Sequence, residues 1–217
     1  MASQIIYGVQ PVGEAERGRR RVHKVWRAPQ TSGAELERLC GSPDHQGVVA
    51  EVDPYPYGDA EAMLRRPDAL IVALDQVQDP RNLGAVCRSA ESAGAAGVVI
   101  PERRAAMVTP VACKTSAGAV EHLEVAHVRN LADWLAAAKE AGFWIWGADA
   151  DGRQPPWAVD LTGPTVLVLG GEGKGLRPRV ASACDALIAL PTLGQIESLN
   201  VSAAATALLF ESVRQRS

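Results

Sequence analysis

The sequence predicts an α/β fold built around an open, mostly parallel sheet. Short runs of apolar, often β-branched residues alternate with longer helical patterns along most of the chain. Most of these short runs are apolar at every position rather than at every second one, as in parallel strands that are covered on both faces. Turns marked by glycine or proline separate the two kinds of segment.

Residues 1–66 are predicted to form a small N-terminal module with its linker, and residues 67–217 a larger C-terminal domain. The linker contains DPYPYG at positions 53–58, whose two prolines and glycine cannot hold a regular element. In the module, residues 34–39 are predicted to be a short helix and residues 47–52 a strand. Residues 21–26 alternate apolar and basic side chains, which fits either a strand with a basic face or an exposed arm.

In the larger domain, strand and helix patterns follow one another to the end of the chain. The predicted strands are 69–74, 97–100, 122–126, 143–148, 165–169 and 186–190. The predicted helices are 83–93, 109–117, 131–141, 177–183 and 199–216. The last helix carries alanine, leucine and phenylalanine around most of its circumference between positions 203 and 210, so we expect it to be buried against more than one surface.

Composition excludes several classes of protein. The chain has 217 residues, of which 47% are hydrophobic and 22% charged, as in globular proteins rather than disordered or fibrous ones. The longest apolar run, at 69–74, is much shorter than the roughly 20 residues that cross a bilayer. No signal-peptide pattern opens the sequence. Four scattered cysteines without CxxC pairs or zinc-ligand spacing indicate reduced thiols in a cytoplasmic protein without a metal site.

The net charge of −3 hides a strong local asymmetry. Residues 16–27, ERGRRRVHKVWR, contain six arginines or lysines and one acid. Such a run predicts a basic surface suited to the phosphates of a nucleic acid, and the candidate binding residues are Arg19, Arg20, Arg21 and Lys24. The alternative is a solvated, charged edge with no ligand.

Three loops stand where an open α/β sheet binds ligands, at the carboxyl ends of predicted strands. The first is DQVQDPRNLG at 75–84, the second GGEGKG at 170–175 and the third LPTLGQIESLNVS at 190–202. Each has a plain structural alternative: Asn82 capping a helix, a tight glycine turn, and Ser198 or Asn200 capping the last helix. The second loop matches neither a Walker A loop nor a GxGxxG dinucleotide fingerprint.

Together the three loops resemble the three motifs of the SpoU family of RNA 2′-O-ribose methyltransferases, within the SPOUT superfamily. The matching segments are DPRNLGAVCRSAESAG, LVLGGEGKGL and LPTLGQIESLNVSAAATALLFESVRQR, in the family's order and spacing. The resemblance covers nearly all of residues 68–217. Segments IYGVQPVGEAERGRRRVHKVW and HQGVVA resemble the start and end of a small RNA-binding module similar to ribosomal protein L30e, here shortened between residues 27 and 34.

The resemblance implies a parallel-sheet domain with a C-terminal trefoil knot that binds S-adenosylmethionine and needs no metal. It implies that cofactor contacts come from five residues of the second and third motifs: Gly170, Gly171, Leu190, Pro191 and Leu199. The polar residues that match the family's catalytic set are Asn82, Arg88, Glu172, Ser198 and Asn200. Arg88 is then either the proton acceptor or a charged group that holds the target phosphate.

The resemblance also implies a substrate class and an assembly. The attached module favours 23S ribosomal RNA, with guanosine as the favoured nucleotide. A tRNA ribose methyltransferase is the nearer alternative, and a non-catalytic RNA-binding or ribosome-assembly protein is the alternative of a different class. The apolar last helix and the family resemblance together predict a homodimer, in which Arg88 of one subunit lies near the cofactor of the other.

Overall fold

A computed structural model describes residues 3–171, 175–195 and 198–217, which form two sheets with surrounding helices. The nine strands are β1 Gln4–Tyr7, β2 Val22–Arg27, β3 Val48–Val52, β4 Leu70–Asp75, β5 Gly97–Pro101, β6 Val125–Val128, β7 Trp144–Ala148, β8 Thr165–Gly170 and β9 Ala186–Ile188. The eight described α-helices are α1 Val9–Arg17, α2 Gly33–Cys40, α3 Ala60–Met63, α4 Pro80–Ser92, α5 Pro110–Thr115, α6 Leu131–Glu140, α7 Pro178–Ala183 and α8 Val201–Arg216.

The larger sheet has six parallel strands in the order β6-β5-β4-β8-β7-β9. Its two faces are buried in separate apolar clusters: one receives side chains from α4 and α8, and the other from α6 and α7. The central strands β4 and β5 are buried at every position. This burial on both faces explains why their sequences are apolar throughout, and the predicted parallel α/β sheet is confirmed.

The smaller sheet is antiparallel, with the order β1-β3-β2. The basic segment forms the edge strand β2, so the strand alternative is the one that the structure adopts. Ile6 of β1 and Ala50 of β3 are fully buried in the same apolar cluster as Leu74 of the larger sheet. The two sheets therefore share one continuous core, even though the segment 53–57 between them has no regular element.

Two arginines of the basic run place their guanidinium groups in the junction between the two sheets. Arg20 pairs with Glu121, and each side chain is only 1% exposed. Arg20 also donates from Nη1 to Gln4 Oε1 at 2.7 Å. Arg19 donates from Nη2 to the Leu123 carbonyl at 2.7 Å, although the residue as a whole is exposed. The prediction that Arg20 binds RNA is therefore wrong, because its guanidinium is enclosed by protein, and Arg19 has its guanidinium engaged in the same junction.

Several boundaries differ from the predictions for local reasons. Helix α4 begins three residues earlier than predicted, because the Asp79 side chain caps it by accepting from the backbone of Arg81 at 2.8 Å. The strand predicted at 122–126 is instead β6, because residues 119–121 form a 3-10 turn that presents Glu121 to Arg20. Strand β1 and helices α1 and α3 were not predicted.

Candidate functional site

The first two sequence motifs leave adjacent strands at the same edge of the larger sheet. In the register of the central pair, Asp75 at the end of β4 lies opposite Gly170 at the end of β8. Strands β5 and β6, which follow β4 in the chain, extend the sheet on one side of β4. Strands β7 and β8 lie on the other side. Ligands of open α/β sheets bind where the strand order reverses in this way.

A cavity of about 310 Å³ lies between these two loops. That volume falls in the range of small-molecule sites, about 300–1,000 Å³. Its described lining consists of Gln76, Val77, Gln78, Asp79, Asn82, Gly171 and Gly175. The walls thus combine polar side chains from the first motif with glycine backbone from the second.

The first and third motifs meet at a pair of asparagines beside this cavity. Asn200 donates from Nδ2 to Asn82 Oδ1 at 3.1 Å. Asn82 is only 8% exposed and does not cap its helix, because Asp79 does. Asn200 does cap α8, since its Oδ1 accepts from the backbone of Ser202 at 2.9 Å. The helix-cap alternative thus holds for Asn200, but the residue makes the inter-motif contact as well.

Glycines of the second motif are required by close backbone approaches. A Cβ at Gly170 would lie 2.2 Å from the carbonyl carbon and oxygen of Gly175, and one at Gly171 would lie 2.6 Å from the Gln76 carbonyl oxygen. Gly175 has a φ of 60°, which side chains disfavour. Gly170 therefore packs against Gly175, and Gly171 against the first motif, backbone to backbone, with no room for a side chain at either position.

An ion pair between a buried carboxylate and an exposed arginine was not predicted from the sequence. The Asp75 carboxylate is fully buried and accepts from the backbone N–H of Arg177 at 2.8 Å and from its Nε at 2.7 Å. The pair ties the end of β4 to the residue that caps α7, just after the glycine loop. An acid at the end of an apolar strand was the available signal, but its partner is 102 residues away.

The other predicted site residues are placed around this centre rather than in it. Arg88 lies on α4, is exposed, and makes no hydrogen bond or ion pair with the part of the chain that the structure describes. Ser198, Leu199 and Pro191 are also exposed, and Leu190 is half-buried; none of them is among the described residues that line the cavity. Glu172 lies outside the described residues.

Two of the four cysteines are deeply buried in the larger domain. Burial raises the pKa of the Cys87 thiol on α4, and it raises that of Cys113 to about 11, so neither is a thiolate at neutral pH. Within the same ranges no group of three or more His, Cys, Asp or Glu side chains could hold a metal ion. No helix there has both the length and the apolar character to cross a membrane.

Two family models match the chain. The model described as the SpoU rRNA Methylase family matches residues 69–210. The model described as RNA 2′-O ribose methyltransferase substrate binding matches residues 30–58. Together they match most of the chain, and the first alone matches more than half of it.

Individual proteins agree with these models. A 23S rRNA (guanosine-2′-O-)-methyltransferase, RlmB, of Pseudomonas putida is 45% identical over 79% of this chain and 71% of its own. A putative TrmH family tRNA/rRNA methyltransferase of Bacillus subtilis is 35% identical over 97% of this chain and 95% of its own. Two mycobacterial relatives are 46% identical to this chain, and the chain spans about 60% of their length.

Among solved structures, the SpoU methyltransferase AviRb from Streptomyces viridochromogenes, in complex with AdoMet, superposes with a TM-score of 0.85. It is 28% identical in sequence, and the superposition covers 99% of this chain and 90% of that one.

Proposed function

The chain belongs to the SpoU family of RNA methyltransferases, and from this premise we propose that it transfers a methyl group from S-adenosylmethionine to a ribose 2′-hydroxyl of 23S ribosomal RNA, at a guanosine. The similarity to an enzyme named for that reaction supports the substrate. The match of residues 30–58 to a substrate-binding model supports a role for the N-terminal module in holding RNA.

The observation that carries the proposal is the meeting of all three motifs at one cavity. Gly171 and Gly175 of the second motif form one wall, Gln76 to Asn82 of the first form another, and Asn200 of the third bonds to Asn82 at their edge. Residues 118 positions apart are thereby joined by a single hydrogen bond beside a small-molecule cavity. A non-catalytic RNA-binding protein would need no such enclosed cavity.

The residues present suit an adenosyl cofactor. The second-motif wall has no Cβ atoms at Gly171 and Gly175, so a ligand can approach the backbone there closely enough to bond with its amides and carbonyls. Gln76 and Gln78 add side-chain donors and acceptors to the same cavity. We assign Gly170, Gly171, Leu190, Pro191 and Leu199 to cofactor binding on the basis of the family motifs.

Bound S-adenosylmethionine supplies a sulfonium methyl that needs no further activation. The protein's task is to align the ribose oxygen with that methyl and to help the hydroxyl lose its proton. Asn82 and Asn200 orient one another at the cavity edge, and we assign them, with Ser198 and Glu172, to positioning the ribose. Arg88 then acts as a cation that holds the target phosphate and stabilises developing negative charge on the oxygen. An arginine without a protein partner in the described ranges has donors left for a phosphate.

The proposal includes the fold details that the family implies. Strand β9 lies at the sheet edge beside β7, whereas α8 begins against α4 in the middle of the sheet. On the basis of the family motifs we propose a trefoil knot in the C-terminal part of the larger domain. We divide the chain into an L30e-like module at 1–66 and a methyltransferase domain at 67–217.

We also propose that the enzyme is a homodimer. Helix α8 has an exposed stripe of apolar residues at helical spacing, formed by Ala203, Ala207 and Phe210. Phe210 is 47% exposed, and Leu193 in the third motif is 100% exposed. A second subunit that covers this stripe would bury side chains that a monomer leaves in water.

Methyl transfer to purified RNA tests the proposed function. Incubation with deproteinised 23S rRNA and S-adenosylmethionine labelled in its methyl group should label that RNA, and one ribose should become resistant to alkaline cleavage at its 3′ side. Parallel reactions with 16S rRNA and tRNA should remain unlabelled. Label only in tRNA would move the substrate to the alternative class, and label in no RNA, or in a base, would contradict the proposal.

Replacing Gly170 with alanine should weaken binding of S-adenosylmethionine. The added Cβ would meet the Gly175 backbone at 2.2 Å, so the second-motif loop must move away from its present path. A strain of about 1–3 kcal/mol corresponds to roughly a tenfold to hundredfold loss of affinity, measured by calorimetry. Gly163→Ala is the matched control, because a Cβ there meets nothing within 4 Å. Equal affinities for the two variants would show that the loop is not part of the cofactor site.

Replacing Arg21 and Lys24 together with alanine should weaken RNA binding without changing cofactor affinity. Both are exposed at the edge of the small sheet, whereas the guanidinium groups of Arg19 and Arg20 are engaged in the junction between the two sheets. Each lost phosphate contact should reduce the slope of log K against log salt by about 0.7–0.9. Arg179→Ala is the control, since this exposed arginine pairs with Asp133 on the opposite side of the large sheet. An unchanged slope in the double variant would identify the basic run as a solvated edge.

A further inference from the structure

Helices α4 and α8 are joined by polar contacts at two levels. At the first level Asn82 accepts from Asn200. At the second level the hydroxyls of Ser89 and Thr206 lie 2.6 Å apart. Seven residues along α4 and six along α8 separate the two levels, which is about 10.5 Å and 9 Å of helix. The two helices therefore run side by side in the same direction, with their polar contacts in register.

The direction of each hydrogen bond follows from the fact that a hydroxyl group has only one hydrogen to donate. Thr206 Oγ1 donates its one hydrogen to the Ser202 carbonyl at 2.8 Å, so Ser89 Oγ donates to Thr206. Ser202 in turn donates from Oγ to Asn200 Oδ1 at 2.6 Å. One turn of α8 thus links the Ser89 contact to the asparagine pair at the cavity.

The Ser89–Thr206 contact is half-buried and has buried apolar residues as its neighbours along both helices. Val86 and Ala90 on α4 are fully buried, as are Ala205 and Leu209 on α8, and all four belong to the same core cluster. Apolar packing alone permits two helices to rotate or slide slightly against each other, because it has no preferred direction. A hydrogen bond between the two helices adds little net stability, but it fixes the geometry of the pair.

Ser89 follows Arg88 directly on α4, so any rotation of this helix about its axis changes the direction in which Arg88 leaves it. Neither residue of the hydroxyl pair lines the cavity among the described residues. We propose that Ser89 and Thr206 are positioning residues, which fix the rotation of α4 against α8 and so direct Arg88 toward the reacting ribose. This inference rests on the proposed function, because it assigns Arg88 a role in methyl transfer.

Steady-state kinetics of Ser89→Ala, Thr206→Val and the double variant test the inference. Thr206→Val keeps the side-chain shape and removes the acceptor. Each single variant should lower kcat by about 10-fold to 100-fold, as expected for small misplacement of a reacting group. The Kd for S-adenosylmethionine should change less than about twofold, and the double variant should be no slower than the slower single variant, because both remove the same contact. Ser89→Thr, which keeps a hydroxyl, should retain most of the activity.

Ser212→Ala is the matched control on the same helix. Ser212 is fully buried, but its hydroxyl bonds only to the Leu208 carbonyl of α8 itself, so kcat should stay within about twofold of wild type. Additive losses in the double variant, or losses equal to those of Ser212→Ala, would overturn the inference.

If the wild-type protein transfers no methyl group, the proposed function is wrong. Hydrogen exchange then tests separately whether the Ser89–Thr206 contact holds α4 against α8. Thr206→Val should speed amide exchange around Ser89 relative to Ser212→Ala. Equal exchange in the two variants would overturn the positioning role even if the enzyme is active.

Discussion

Replacing Glu121 with alanine is expected to lower the free energy of unfolding by about 3–5 kcal/mol, the range seen when one partner of a buried ion pair is removed. The Arg20 guanidinium would remain enclosed, since its side chain is only 1% exposed in the present structure. Its bond to Gln4 would persist, but one hydrogen bond to an amide does not neutralise a buried charge. Chemical denaturation, with two-state fits of the midpoint and slope, measures the effect.

Glu16→Ala is the control for this variant. Glu16 accepts two 3.0 Å bonds from Arg27, so it also belongs to a bidentate pair with an arginine of the basic run. The side chains of Glu16 and Arg27 are, however, both more than 40% exposed. Exposed ion pairs contribute only about 0–1 kcal/mol to the free energy of unfolding. A loss for Glu121→Ala no larger than that for Glu16→Ala would mean that water reaches the junction between the two sheets.

Mixing two inactive variants is expected to restore methyl transfer. Arg88→Ala and Asn200→Ala should each lower kcat by about 10²–10³-fold, the effect of losing one preorganised polar group. If Arg88 of one subunit serves the site of the other, a mixed dimer has one site with both residues intact. Equal mixing then leaves about a quarter of all sites complete, provided that the subunits exchange freely.

A site formed within one chain predicts a different recovery of activity. If Arg88 and Asn200 of the same chain form one site, every site of a mixed dimer lacks one of them, and no activity returns. Arg88→Ala mixed with Arg88→Lys is the control, because both variants alter the same residue and cannot complement each other. Sedimentation of the same samples verifies that dimers are present, and a fully active monomer would exclude a shared site.

The parts of the fold that the sequence could predict are those set by local pattern. Strands β4, β5 and β8 are buried on both faces, so their apolar runs identify them almost to the residue. Helix α1 carries a proline and a glycine within nine residues, and only three of its side chains are buried. Its position depends on packing against the small sheet, which no local signal shows.

For the site, too, local patterns could be predicted from the sequence and contacts between distant residues could not. The order and spacing of the three motifs predicted that their loops converge, because parallel strands bring their carboxyl ends to one edge. The basic run was misinterpreted at Arg20, whose acidic partner is 101 residues further along the chain. Charge counting along a sequence detects cations, but it cannot show which of them are neutralised by a distant carboxylate in the folded state.

The Arg20–Glu121 pair also sets an order of events during synthesis. At about 5–20 residues per second, the ribosome completes Glu121 some 5–20 s after Arg20. Until then the guanidinium lacks the carboxylate that neutralises it in the folded state, and burying it would cost several kcal/mol, so it stays hydrated. Strands β1, β2 and β3 can pair during this interval, but the face of the small sheet that packs on the larger domain cannot close. For this protein we therefore expect the small sheet to reach its final packing late, after β4 and β5 have already emerged.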